Sequence, residues 1–276
     1  MHPKIRPMVA SSISHIARTL LLVSVITMIG ALAVPPMVAE AAAPCNEPYN
    51  PPFNPEDFKD KDGKPYPINN PYFPLKPGTT LNYEKKVDGE LERVRFQVTH
   101  ETKTIRYGGS DVRAVVVRDR VTLDGKLIEL TDDWFAQDKH GNVWYLGEAS
   151  RDFDPPSTKG SWESGKDGAK PGIIMKAQPK VGDTYRQEFY KGEAEDAAKV
   201  LSLSKRVKVP YGSFSNVLQT KDFSCIPGVP DQEHKYYAKG VGMVLSVNLE
   251  SKERLELVSV KTGNDSEDDE DDEDDD

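Results

Sequence analysis

The sequence is poor in the features that announce a chemistry. Only two cysteines occur in 276 residues, Cys45 and Cys225. Neither lies in a CxxC, which sets aside zinc ribbons and thioredoxin-like redox motifs. None of the five histidines belongs to an HExxH or any other paired spacing, so a histidine-held zinc centre is disfavoured. No G-x-S-x-G elbow marks a nucleophile, and no D-x-[DN]-x-[DN]-G loop marks an EF-hand. The uncharged apolar run Leu20–Val34 has fifteen residues, short of the roughly 20 needed to span a bilayer.

Positive charge is missing where nucleic acid would require it. The formal charge is −9; residues 1–41 contribute +2 and residues 265–276 contribute −11, which leaves residues 42–264 neutral. With no basic stripe, and with an acidic segment that repels phosphate, nucleic acid is disfavoured as a partner.

What is present divides the chain into four parts. Residues 1–41 read as an export signal: Lys4, Arg6 and Arg18 lead, an apolar stretch follows, and Ala39-Glu40-Ala41 offers small residues to a peptidase. An uncleaved anchor is the alternative. Residues 42–78 are dense in proline, with Tyr49, Phe53, Tyr66, Tyr72 and Phe73. Such a segment forbids regular ladders and suits an extended arm laid over a domain. Residues 79–262 read as an antiparallel β domain. Residues 263–276 hold eleven carboxylates and nothing apolar, so they form a tail that cannot fold alone. In an oxidising compartment the two cysteines are best used as one Cys45–Cys225 disulfide. Closing so long a loop is worth roughly 5 kcal/mol.

Strands are expected in quick succession. Asp88-Gly89 and Asp124-Gly125 are strong hairpin turns. Asp132–Glu148 reads as a third hairpin, closed by Asp138-Lys139-His140-Gly141 with a left-handed glycine. In that register Trp134 and Trp144 share a face with Asp132 and Glu148, while Phe135 and Tyr145 point the other way. A hairpin apolar on both sides must be covered on both sides. Residues 151–182 are a Gly/Pro/Ser-rich excursion in which Trp162 should pin the loop onto something apolar. Glu193–Leu203 is open between helix and strand, and the Val and Ser after Lys199 favour strand. The fold class is therefore mainly β: one large curved antiparallel sheet, a half-barrel or open barrel, with little helix.

The segments Val207–Thr220 (VKVPYGSFSNVLQT) and Lys235–Ser246 (KYYAKGVGMVLS) resemble the closing strands of exported bacterial β-proteins of unknown function. These are related in shape to the lipoprotein-carrier half-barrels of the LolA and LppX type. The hairpin WFAQDKHGNVWYLGE fits the same pattern. The resemblance implies a curved sheet outside the cytoplasm with an apolar ligand in its concavity. The neutral domain, the Pro-rich arm and the acidic tail are not parts of the LolA pattern.

The expected function is an exported, non-enzymatic domain, secreted, periplasmic or at the cell surface. It would bind an apolar or lipid-like molecule in a groove lined by Trp134, Trp144, Trp162, Tyr185, Phe189 and Tyr236. The alternative is a cell-envelope structural or interaction protein whose acidic tail takes calcium or a basic surface partner. A hydrolase using unpatterned carboxylates is a third, weaker reading. No cofactor is expected apart from calcium, for which the candidate ligands are Asp132 and Glu148, opposed on the hairpin, and Glu193, Glu195 and Asp196.

Overall fold

A computed structural model of the chain describes Cys45 and residues 48–229 and 232–263. The leader and the tail from residue 264 lie outside the described residues. Among these there is no α-helix, only a short 3-10 turn at Pro55–Phe58 and fifteen strands. In chain order they are β1 (Thr79–Val87), β2 (Glu90–Tyr107), β3 (Ser110–Leu123), β4 (Lys126–Gln137), β5 (Val143–Phe153), β6 (Pro156–Ser157), β7 (Trp162–Glu163) and β8 (Lys170–Met175). They continue with β9 (Thr184–Arg186), β10 (Glu188–Phe189), β11 (Asp196–Val209), β12 (Gly212–Ser224), β13 (Gln232–Ala238), β14 (Gly242–Asn248) and β15 (Arg254–Thr262).

Local turn chemistry builds the ladder. Asp88 and Gly89 both take positive φ (50° and 93°), as do Asp124 and Gly125 (46° and 85°). These are type I′ turns, whose twist matches that of the flanking strands. The segment left open between helix and strand extends from Asp196 as β11, which pairs with β12 from Asp196↔Ser224 to Val209↔Gly212.

The sheet curves further than a half-barrel and nearly closes. Its order runs β10-β8-β5-β4-β3-β2-β1-β15-β14-β13-β12-β11-β9, so its two ends are strands separated by the single residue Gln187. One crossing segment thus serves both edges. Thr184–Arg186 pairs with β11 and Glu188–Phe189 pairs with β8. The excursion after β5 lays β6, β7 and β8 along successive stretches of the β5 edge. Trp162 is buried there and meets Tyr145 edge-on at 5.3 Å.

Period-2 alternation turns Val94, Phe96, Val98, Val117, Val121 and Phe135 into the interior. The arm completes that core. Its Ile68, Tyr72, Phe73 and Leu75 belong to the same cluster, with Phe73 set 5.4 Å from Phe135 and 6.4 Å from both Phe96 and Tyr237. A gap beside Phe73 measures about 30 Å³, room for about one or two waters. Around Phe73 the concavity is filled by the arm. Cys45 and Cys225 are joined, with Cα atoms 5.2 Å apart, which ties the start of the arm to the end of β12.

Closure depends on Gly172. A Cβ there would lie 2.1 Å from the carbonyl oxygen of Gln187 and 2.2 Å from its carbon, and backbone cannot step aside as a flexible side chain can. Gly172→Ala should open the seam and cost about 1–3 kcal/mol. A urea midpoint unchanged from the parent would contradict this account of closure.

Candidate functional site

The hairpin β4–β5 carries four of the candidate residues, Asp132, Trp134, Trp144 and Glu148. Its tip forms as its sequence dictates: the Asp138 amide donates to Asn142 O at 3.0 Å, and Gly141 takes φ 89°. Below the tip the register slips between Asp133 and Phe135, so Asp133, not Asp132, faces Glu148. Gly147, at φ 135°, lies in the slip, where a Cβ would sit 2.3 Å from Trp162 O. The bulge separates the proposed carboxylate pair. Asp132 is on the outer face, bidentate with Arg118 at 2.9 and 3.3 Å, while Glu148 points inward. The two cannot share a cation.

The outer, tryptophan-bearing face is dry because the arm covers it. Phe53 stands edge-on to Trp144 at 5.0 Å and packs on Phe58 at 4.6 Å. Trp134, Trp144, Phe58, Ile105, Val112 and Leu146 form one buried cluster. Lys103 lies 4.2 Å over the Trp134 ring. Polar clasps hold the arm in place. Gln137 Oε1 accepts from the amides of Asn69 and Asn70 at 3.0 and 2.9 Å, and Gln137 Nε2 donates to Asn69 Oδ1 at 2.8 Å. Asn70 Nδ2 donates to the carbonyls of Gly141 and Lys176.

The inner face is acidic. Glu92, Asp119, Glu129, Asp133, Glu148 and Glu188 are all buried. Tyr145 OH lies 2.5 Å from Asp133 Oδ1 and 2.9 Å from Glu148 Oε2. A hydroxyl has one proton to donate, so the second contact calls for a proton on a carboxyl. Neither oxygen of Asp119 has a hydrogen-bond partner among the described residues. Burial, then the nearby Asp133 and Glu129, push the Asp119 carboxyl well above its ordinary range. Burial, then Asp196, does the same to Glu188. Cations are few: Lys85 meets Glu92 at 3.1 Å, and Lys235 meets Asp222 at 3.3 Å. Burial alone would lower the Lys235 ammonium, but Asp222 and Glu233 outweigh it and raise it.

An open apolar groove lies between the arm and the sheet, with a volume of about 480 Å³. Tyr66, Pro67, Ile68 and Pro77 form the arm wall; Thr102, Ala114 and Val115, with Phe135 and Ala136, form the sheet wall. The groove exists because β2 and β3 slip register between Val98 and Thr102, where Thr99 Oγ1 donates to Val116 O at 2.8 Å. Arg113 and Lys76 add exposed positive charge at its lining.

The six aromatic residues expected to line one ligand site do not share a surface. Trp134 and Trp144 lie under the arm, and Trp162 and Tyr185 are in the filled interior. Phe189 is half-buried, 5.4 Å from Tyr49 of the arm. Tyr236 is half-buried, with its hydroxyl accepting from Gln219 at 3.1 Å. The remaining acids are dispersed as well. Glu195 pairs with Arg186 at 3.3 Å, Glu193 is exposed in a turn, and Asp196 is half-buried near Lys235. Among the described residues no three His, Cys, Asp or Glu side chains are grouped to hold a metal ion. Nothing in an alternating pattern marks Ala114, Val115 and Thr102 as a groove wall, because only the bulge in β2 turns them into one.

No protein-family model matches the chain, and no curated protein matches it either. Among solved structures it is similar to a Bacteroides fragilis protein described as exported and as having a YmcC-like fold. The two share 16% identity at a TM-score of 0.39, over 69% of this chain and 99% of that one.

The interior acids predict a pH dependence. A carboxyl whose pKa is raised by folding contributes stability that is complete below its unfolded value, about 4. That contribution is lost as pH rises through the folded value. Asp119→Asn removes the loss, so its gain in unfolding free energy over the parent should grow with pH. Urea titrations should find little gain at about pH 4 and about 1–3 kcal/mol at about pH 8. A gain that shrinks with pH would contradict the assignment.

Proposed function

We propose that the chain is an exported, non-enzymatic binding protein that holds an apolar or lipid-like ligand in the groove between its arm and strands β3 and β4. The carrying observation is the groove itself. Its volume of about 480 Å³ falls within the roughly 300–1,000 Å³ of small-molecule sites, and its walls are largely apolar, as such sites are. Arg113 and Lys76 suit the acidic headgroup of an amphiphile. The Cys45–Cys225 disulfide fits an oxidising compartment outside the cytoplasm. The likeness of the closing strands to lipoprotein carriers favours an acyl chain as the apolar part. A non-enzymatic role is favoured because the clustered carboxyls lie inside a filled barrel, where no polymeric substrate reaches them.

Thr102 lines the groove and is exposed, so Thr102→Trp should fill the groove without disturbing the core. Titration with oleate, followed by native mass spectrometry, should give a one-to-one complex for the parent. The variant should bind at least about tenfold more weakly, ~1.4 kcal/mol, with an unchanged melting temperature. Equal affinity in parent and variant, or no complex with either, would overturn the proposal.

A further inference from the structure

The neutrality of residues 42–264 hides a local imbalance. Residues 200–219 hold three bases, Lys205, Arg206 and Lys208, and no acid. They lie on the β11–β12 hairpin, which outgrows the sheet. Pairing of β12 with β13 begins only at Leu218↔Tyr237, so Gly212–Val217 run past it. Three register shifts between Val200 and Val207 bend β11. The tip is tied down where the bend takes it: the Tyr211 amide donates to Leu257 O of β15 at 3.0 Å, three strands away in the sheet.

The two sides of this hairpin differ. Val207, Val209 and Val217 are buried, and Phe214 packs on the main core. Arg206 and Lys208 alternate with the valines of β11 and are exposed, as is Lys205. No ion pair or hydrogen bond of these three side chains is found among the described residues. The acid beside Leu257, Glu256, is already held by Arg254 at 2.7 Å. Next to the bases stands Tyr211, 44% exposed, with its ring 6.4 Å from that of Phe214. Val181, outside the hairpin, is the other large apolar side chain exposed among the described residues.

We infer that the β11–β12 tip docks the protein on an anionic lipid surface. Lys205, Arg206 and Lys208 meet headgroup phosphates, and the Tyr211 ring sits among the headgroups. A ring with an apolar body and a polar end suits that depth. Each base near an anionic leaflet strengthens binding on the order of fivefold, so three together give about 100-fold. A specific protein partner buries roughly 800 Å² per side, and a nucleic-acid strand takes a basic groove with several stacking rings. One exposed ring on a narrow turn supplies neither, whereas a bilayer surface is met by that ring and the three bases. The docking tip does not depend on the groove under the arm.

Trp134, Trp144 and Trp162 are all buried, so the exposed indole of a full-length Tyr211→Trp variant reports the tip alone. This variant is titrated with vesicles of brominated phosphatidylglycerol, whose bromines quench a ring that reaches the bilayer. Lys126→Trp is the control, because Lys126 is exposed at the start of β4, seven strands from β12. Saturable quenching is expected for Tyr211→Trp and not for Lys126→Trp, with none from brominated phosphatidylcholine. Salt at about 1 M, where the Debye length is about 3 Å, should reverse it. Adding K205Q, R206Q and K208Q together should raise the lipid concentration at half-saturation at least about tenfold. Oleate affinity should be unchanged in that variant, which separates loss of docking from loss of the groove. Equal quenching at positions 126 and 211 means adhesion by another part of the chain and overturns the proposal. So does quenching that the three glutamines leave intact or that phosphatidylcholine reproduces. Tighter binding of a single-stranded oligonucleotide than of the vesicles, read by the same ring, would make the tip a nucleic-acid site instead.

Discussion

The clasp between Gln137 of the hairpin and Asn69-Asn70 of the arm is the contact on which the rest of this molecule depends. A proline-dense segment cannot satisfy its backbone in a ladder, so side-chain amides take over the role. Gln137 Oε1 holds two arm amides, and Asn70 Nδ2 holds two carbonyls from neighbouring turns. Once the arm is fixed there, its two halves do different work. Phe53 and Phe58 dry the outer face over Trp144, and Ile68, Tyr72, Phe73 and Leu75 enter the barrel core. Between those halves the arm arches over the slipped register of β2 and β3, and the arch is the groove.

Filling the barrel with its own arm also explains how it tolerates so many acids. Carboxyls such as Asp119 and Glu188, sealed from water, meet burial and mutual repulsion by holding protons rather than by recruiting cations. A barrel mouth left open would hydrate these groups and remove that pressure.

Much of this architecture was legible in the residues. The Asp-Gly turns and the Asp138–Gly141 tip follow from local chemistry that tertiary context did not override, and the disulfide from there being only two cysteines to pair. What alternation cannot reveal is which face closes. It separated Trp134 and Trp144 from Phe135 and Tyr145 correctly, but both faces read as apolar, and the arm could have gone to either. A single bulged residue, Gly147, then moved Glu148 from beside Asp132 to beside Asp133, because a one-residue slip exchanges faces. The groove was hidden for the same reason, since a bulge at Thr99–Glu101 leaves no periodic trace.

The central claim is that the arm packs into the barrel core, so that the proposed binding groove lies between arm and sheet and not in the space around Leu81, Met243 and Leu257. Intermolecular NOEs from the acyl protons of bound laurate to the methyl groups of the protein test this most directly. Contacts to Ile68, Ala114 and Val115 are predicted, with none to Leu81, Met243 or Leu257. Contacts to that second set would mean that the arm yields the interior to the ligand, and would contradict the account.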